Sequence, residues 1–140
     1  MNTSKSLITK RTFYYIIFIQ ETHFVEENEA KYDIGWKGKT FHSYSNSKFS
    51  CGVSILFKEH LDTEVNNIKR SEDGRKILLN ITFNGNKFSI INIYAPNDEL
   101  KRCDFFKRIT SFITKNCTNG NIIGDFNCQL DRVLNFYIIC

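Results

Sequence analysis

No apolar stretch in this 140-residue chain approaches the ~20 residues that cross a bilayer as a helix. The longest early one, Tyr14 to Ile19, is too short to span and has no small-residue cleavage site, so neither an anchor nor a signal peptide is read. No Cys-x-x-Cys pair occurs. The five cysteines (Cys51, Cys103, Cys117, Cys128, Cys140) are odd in number, which supports neither a zinc knuckle nor a disulfide framework. Buried or idle thiols in a reducing, intracellular compartment are the expectation. Charge of one sign is barely in excess: 19 Lys and Arg face 15 Asp and Glu, a net +4. Such a balance permits a phosphate-rich partner without demanding one, since a groove reader shows a stronger or clustered excess. Internal repeats and low-complexity segments are also lacking.

What is present fits one domain. About 150 residues suffice to hide roughly 70% of the unfolded surface. The 41% apolar and 24% charged residues exclude a disordered tail, a collagen-like chain and a coiled coil. Three Asn-x-Ser/Thr matches, at Asn2, Asn80 and Asn116, are read as chance in a chain so rich in Asn.

Residues 1–12 read as a loose arm, and residues 13–140 as the domain. Phe13 to Ile19 is short, aromatic and β-branched, which favours a buried strand. Val25 to Gly38 reads as a loop. Cys51 to Phe57 reads as a second strand, and Glu59 to Arg75 as polar chain with an Asp73-Gly74 turn. Lys76 to Phe83 alternates, with Ile77, Leu79, Ile81 and Phe83 on one face. Lys87 to Ala95 is β-rich again. Asn84-Gly85 between them is a strong hairpin signal, because both central residues of that turn need positive φ. Pro96 ends the second strand, and Asn97 or Asp98 can cap a helix. Leu100, Cys103, Phe106, Ile109, Phe112 and Ile113 recur near helical spacing, which predicts one apolar face ending near Asn116. Asn121 to Gly124 is a further short strand, and Val133 to Cys140 is apolar once more. One good helix among strands is not the alternation of a doubly wound fold. The expectation is an α/β sandwich, mainly antiparallel, with one clear packing helix.

Two places share a design. The strand ending at Ile19 runs into Glu21 and His23; the strand ending at Gly124 runs into Asp125 and Asn127. Residues two apart on a strand point to one face. Two carboxylates at adjacent strand ends can hold a hard cation, since Mg²⁺ takes one or two carboxylates and leaves room for water and phosphate. Each piece alone also has a bland reading. Glu21 is then a solvated strand end, Asp125-x-Asn127 a turn bonding its own backbone, Tyr94 a half-buried strand aromatic, and His23 a surface residue. His42 and His60 carry no constellation, and Arg75-Lys76 reads as solvated loop.

Taken in order, the blocks Gln20-Glu21-Thr22-His23, Cys51-Gly52-Val53-Ser54-Ile55-Leu56-Phe57, Asp73-Gly74-Arg75, Tyr94-Ala95-Pro96-Asn97, Phe105-Phe106 and Gly124-Asp125-Phe126-Asn127 resemble the endonuclease/exonuclease/phosphatase superfamily. Within it the chain looks most like the endonuclease domain of LINE-type retrotransposons, similar to exodeoxyribonuclease III and the apurinic/apyrimidinic endonucleases. The resemblance covers about Phe13 to Arg132. It implies a partial four-layer, DNase I-like α/β sandwich, and hydrolysis of a DNA phosphodiester assisted by Mg²⁺ or Mn²⁺. It also implies roles: Glu21 as metal ligand, Tyr94 beside the scissile phosphate, Asp125 at the metal site and on the attacking water, and Asn127 on the phosphate. DNA is the implied partner, with no membrane and no obligate protein partner. Action in the nucleus follows if the chain is a retrotransposon endonuclease.

The departures are specific. The family's opening Asn-x-Asn-Gly-like strand has no match before Phe13. Its closing Ser-Asp-His-like block has none either, and no histidine follows His60. These departures lead to the expectation of a domain cut at both ends, with the second sheet largely absent and an apolar tail lacking its partner. They leave open a non-catalytic remnant with at most weak DNA binding. A phosphoinositide or sphingolipid phosphoesterase is the other alternative, against which the Tyr94-Ala95-Pro96-Asn97 block argues.

Overall fold

A computed structural model describes residues 16–47 and 50–117, and the backbone of residues 120–125. The expected arm at 1–12, the start of the first strand at Phe13, Asn127 and the apolar segment Val133 to Cys140 lie outside the described residues.

The described residues form two sheets and a long helix. The strands are β1 (Ile16–Gln20), β2 (Thr40–Ser43), β3 (Val53–Phe57), β4 (Thr63–Arg70), β5 (Lys76–Phe83), β6 (Asn86–Tyr94) and β7 (Gly120–Asp125). One sheet has the order β1-β3-β2 and is antiparallel; the other is β4-β5-β6-β7, antiparallel except for the parallel β6–β7 pair. A single 3-10 turn (Glu26–Asn28) and a short helix α1 (Glu29–Tyr32) lie between β1 and β2, where a plain loop was expected. Helix α2 (Glu99–Asn116) links β6 to β7, as a parallel crossover requires.

The second sheet is therefore present, contrary to the expectation. Two strands missed in the sequence explain the difference. Strand β2 has only four residues, too few for a period to declare itself. Strand β4 carries a bulge: Val65 pairs Ile81 and Asn67 pairs Asn80, with the register shifting between them. The extra residue moves Val65 and Ile68 out of strict alternation. The remaining β4 side chains are polar or charged, as suits an edge strand.

Alternation sorts the core. Val53, Ile55 and Phe57 of β3 face Ile77, Leu79, Ile81, Ile90 and Tyr94 of the other sheet, with Ile16, Phe18 and Phe41 packed against them. On the far side, Leu78, Ile91, Ile93 and Ala95 meet Phe105 and Ile109 of α2. The Asn84-Gly85 turn forms as expected, with φ of 49° and 76° at its two central residues.

Helix α2 starts where expected: Asp98 Oδ1 accepts from the Lys101 amide at 2.9 Å. Of its expected stripe, Phe106, Ile109, Phe112 and Ile113 pack against the core, and the first turn does not. Phe105 and Ile109 are buried, whereas Leu100 is 83% exposed and Cys103 is exposed. The first turn overhangs the sheet, so its apolar residue has no surface to cover. Instead Arg102, on the same stripe as Phe105, donates to the Asn97 carbonyl at 2.8 Å.

Candidate functional site

Strands β1, β6 and β7 end at one rim of the sandwich. Glu21 follows β1 directly, Tyr94 closes β6, and the parallel register pairs Asp125 of β7 with Tyr94. Three of the four residues singled out in the sequence are thus brought together at the backbone level. The fourth, Asn127, lies outside the described residues.

The Tyr94 hydroxyl donates to Glu21 Oε1. Tyr94 is 7% exposed, so the bland reading of a half-buried strand aromatic is replaced by a buried phenol with a defined partner. Its pKa is pushed up to about 12, first by the bond to the Glu21 carboxylate, then by burial and the Glu21 charge, with Arg75 opposing. The phenol is therefore protonated, and a donor, at any neutral pH. Glu21 itself is exposed. One carboxylate oxygen is committed to Tyr94 while the group faces solvent, and such a donor suits a hard cation that keeps several waters. Among the described residues no three His, Cys, Asp or Glu side chains cluster. A one- or two-carboxylate Mg²⁺ site needs no such cluster, so the residues present fit that ion. Glu21 would hold it.

The turn after β1 is unusual. Glu21 and His23 have φ of 51° and 56°, in the left-handed region that non-glycine residues seldom adopt. Neighbouring backbone sustains it: the Thr22 amide donates to Gly52 O at 3.1 Å, and the His23 amide to Cys51 O at 2.9 Å. Gly52 has φ of +90°, and a Cβ there would overlap Thr22 Oγ1 and lie 3.0 Å from the His23 nitrogen. The Gly52 amide in turn donates to Gly74 O at 3.0 Å. His23 is exposed on this turn.

Two residues of the site had no role assigned in the sequence. Arg75, read as solvated loop, lies with its guanidinium carbon 5.2 Å from the centre of the Tyr94 ring and donates to Tyr94 O at 3.2 Å. A cation held on the phenol's face is suited to a phosphate neighbour. The signal was the β5 register, which sets Lys76 opposite Ile93 and so carries Arg75 to the end of β6. Asn92, fully buried between the sheets, bonds Gln20, Ile19 and Ser54. Its only sequence signal is a polar residue inside an apolar run.

His42 needs a correction. It does sit in a constellation: Nδ1 lies 2.7 Å from Ser54 Oγ and Nε2 2.9 Å from Asp33 Oδ1. The Ser-His-Asp order suggests a nucleophile, but Ser54 is fully buried on the outer face of the first sheet, where no substrate reaches it. The trio instead fastens residues 24–33 over that face. There Phe24 stacks on Tyr32 at 3.7 Å and meets His42 edge-on at 5.3 Å.

Known proteins agree with this architecture. A humanized D. rerio TDP2 superposes with a TM-score of 0.60 at 14% identity, over 91% of this chain and 54% of that one. An AP endonuclease from Archaeoglobus fulgidus gives 0.54 at 20% identity, over 94% and 53%. The 3′ phosphatase NExo from Neisseria gives 0.55 at 18%, over 92% and 53%. In fold, the chain is similar to these three proteins, as a partial α/β sandwich. In sequence it is 32% identical over 120 residues to the Transposon TX1 uncharacterized 149 kDa protein of Xenopus laevis, covering 84% of this chain and 9% of that protein. The chain thus spans about half the length of these solved structures and a small part of the transposon protein. No family model matches it. Among the described residues no helix is long and apolar enough to cross a membrane.

Proposed function

We propose that this chain carries a divalent-metal-dependent phosphodiester hydrolase site acting on DNA, of the retrotransposon endonuclease and exodeoxyribonuclease III-like type. The observation that carries the reading is the Tyr94 hydroxyl on the Glu21 carboxylate, with Asp125 beside Tyr94 in the register of β6 and β7. The similarity to a transposon protein supports the retrotransposon assignment. Relatives in fold include TDP2 complexed with a single-strand DNA product and NExo bound to a product DNA hairpin. For this chain the case for DNA rests on the Tyr94-Ala95-Pro96-Asn97 and Gly124-Asp125-Phe126-Asn127 blocks.

The chemistry is electrostatic. When bound, Mg²⁺ or Mn²⁺ polarises a phosphoryl oxygen and offsets the charge that develops there. Glu21 supplies an oxygen ligand. Tyr94, kept protonated, holds the Glu21 carboxylate through its hydroxyl, and Arg75 adds a fixed positive charge on its ring where phosphate charge builds. Asp125 takes the proton of the attacking water, and Asn127 steadies the phosphate.

The test is nicking of supercoiled duplex DNA by the purified chain with Mg²⁺ or Mn²⁺. Nicking, stopped by a chelator and by Glu21→Gln, supports the reading. Nicking indifferent to both contradicts it. DNA binding that weakens steeply with salt, without any nicking, selects the non-catalytic alternative.

A further inference from the structure

Besides the Ser43 Oγ bond to Ser71 O at 3.1 Å, the described seam between the two sheets is mainly apolar around Asn92. Asn92 is completely buried there, and its side-chain amide is fully used. Oδ1 accepts from Gln20 Nε2 at 2.6 Å, while Nδ2 donates to Ile19 O and to Ser54 O, each at 2.9 Å. Two of the three partners are carbonyls, which only accept, so the amide orientation is fixed by the network. Gln20 is the residue before Glu21. Asn92 lies two residues before Tyr94 on β6, on the same face.

We infer that Asn92 is a positioning residue: by bonding the end of β1 across the seam, it sets the strand carrying Glu21 against the strand carrying Tyr94. This rests on the site proposed above. The two strands belong to different sheets, so no ladder of backbone bonds relates them. The apolar contacts around Asn92 are non-directional and tolerate sliding. Three directed hydrogen bonds do not. They hold one sheet in register on the other next to the rim, where a shift of about 1 Å can cost roughly 10²-fold in rate. A merely space-filling role is served equally by leucine, but that substitution leaves two carbonyls and the Gln20 amide without this partner.

The experiment reads the phenol of Tyr94 directly. The chain is labelled at tyrosine ¹³Cζ, and the Tyr94 signal is identified by its loss in Tyr94→Phe. Three variants are compared with the parent at neutral pH: Asn92→Leu, Gln20→Met and Ile91→Val. In the parent, the Tyr94 signal reports a phenol bonded to the Glu21 carboxylate. Asn92→Leu is expected to move that signal toward its position in Glu21→Ala, where the carboxylate partner is lost. Gln20→Met removes one of the three bonds and shifts it less, in the same direction. Ile91→Val, facing α2 from the opposite side of β6, leaves Tyr94 as in the parent. Should Asn92→Leu fail to fold, Gln20→Met alone decides. A folded Asn92→Leu or Gln20→Met with parent-like Tyr94 overturns the inference, as does an equal shift in Ile91→Val. The reading uses neither metal nor DNA, so failure of the nuclease assignment would appear in the nicking assay and not here.

Discussion

The two faces of the β4–β7 sheet are packed by different rules. Toward α2, Leu78, Ile91, Ile93 and Ala95 meet Phe105 and Ile109, and the directed bonds on that face, Ser89 Oγ to Asn80 Oδ1 and Asn80 Nδ2 to Asn116 O, lie away from the rim. Toward the other sheet, an equally buried interface contains Asn92 and ends in the Glu21–Tyr94 pair. The first face contributes stability through area removed from water. The second gives up some of that area to place directed bonds near the rim, and the rim is where strained backbone collects, at Glu21, His23, Cys51 and Gly52. Residues held in sparsely populated φ/ψ regions cost of order 1–3 kcal/mol each and concentrate where function needs a fixed geometry. The helix face holds the domain together, while the inter-sheet face aims side chains.

Substitutions on each face can break or sharpen that contrast. Phe105→Ala, on the helix face, should produce the largest loss of stability, about 3–5 kcal/mol from a buried aromatic. Denaturant unfolding should show it, while the Tyr94–Glu21 bond, read by the Tyr94 ¹³C signal, stays intact in the folded protein. Gly52→Ala should cost less stability, about 1–3 kcal/mol, because φ of +90° and the Thr22 hydroxyl both oppose a Cβ. Its distinguishing mark is a moved Tyr94 signal, since the turn carrying Glu21 must shift.

The bond also has a pH dependence. Tyr94 is an acid whose pKa is raised on folding, so the stability it contributes is complete below pH 10.0 and is lost as pH rises through about 12. Tyr94→Phe should therefore flatten the alkaline limb of the unfolding profile in that window and leave the acid limb alone. Asp98→Ala removes the N-cap of α2 and should cost about 1 kcal/mol. Leu100→Ala, on the exposed overhang, should stay within roughly 0.5 kcal/mol of the parent in the same melts.

Local signals carried much of the fold. The Asn84-Gly85 turn, the Asp98 cap and the alternation of Ile77, Leu79 and Ile81 each express a rule that acts over a few residues. What escaped was set by tertiary context. Strand β4 hid behind its bulge, and β2 behind its length. The α2 stripe was read as starting at Leu100 because periodicity cannot tell which end of a helix overhangs its sheet. At the site, Glu21, Tyr94 and Asp125 were marked by resemblance and by their places at strand ends. Arg75 stood in a resembling block without a role and Asn92 carried no mark, since one depends on the register of β5 with β6 and the other on how one sheet lies over another. His42 shows the converse. A Ser-His-Asp trio formed that spacing did not announce, and burial of Ser54 assigns it to structure.

The central claim is that Glu21, held by Tyr94 at the meeting of β1, β6 and β7, is the ligand for a divalent ion. The most direct measurement is Mn²⁺ binding by the chain, followed by water-proton relaxation, for the parent and Glu21→Gln. The account predicts saturable binding in the parent, displaced by Mg²⁺, and its loss in a folded Glu21→Gln. Equal Mn²⁺ binding by both proteins would contradict it.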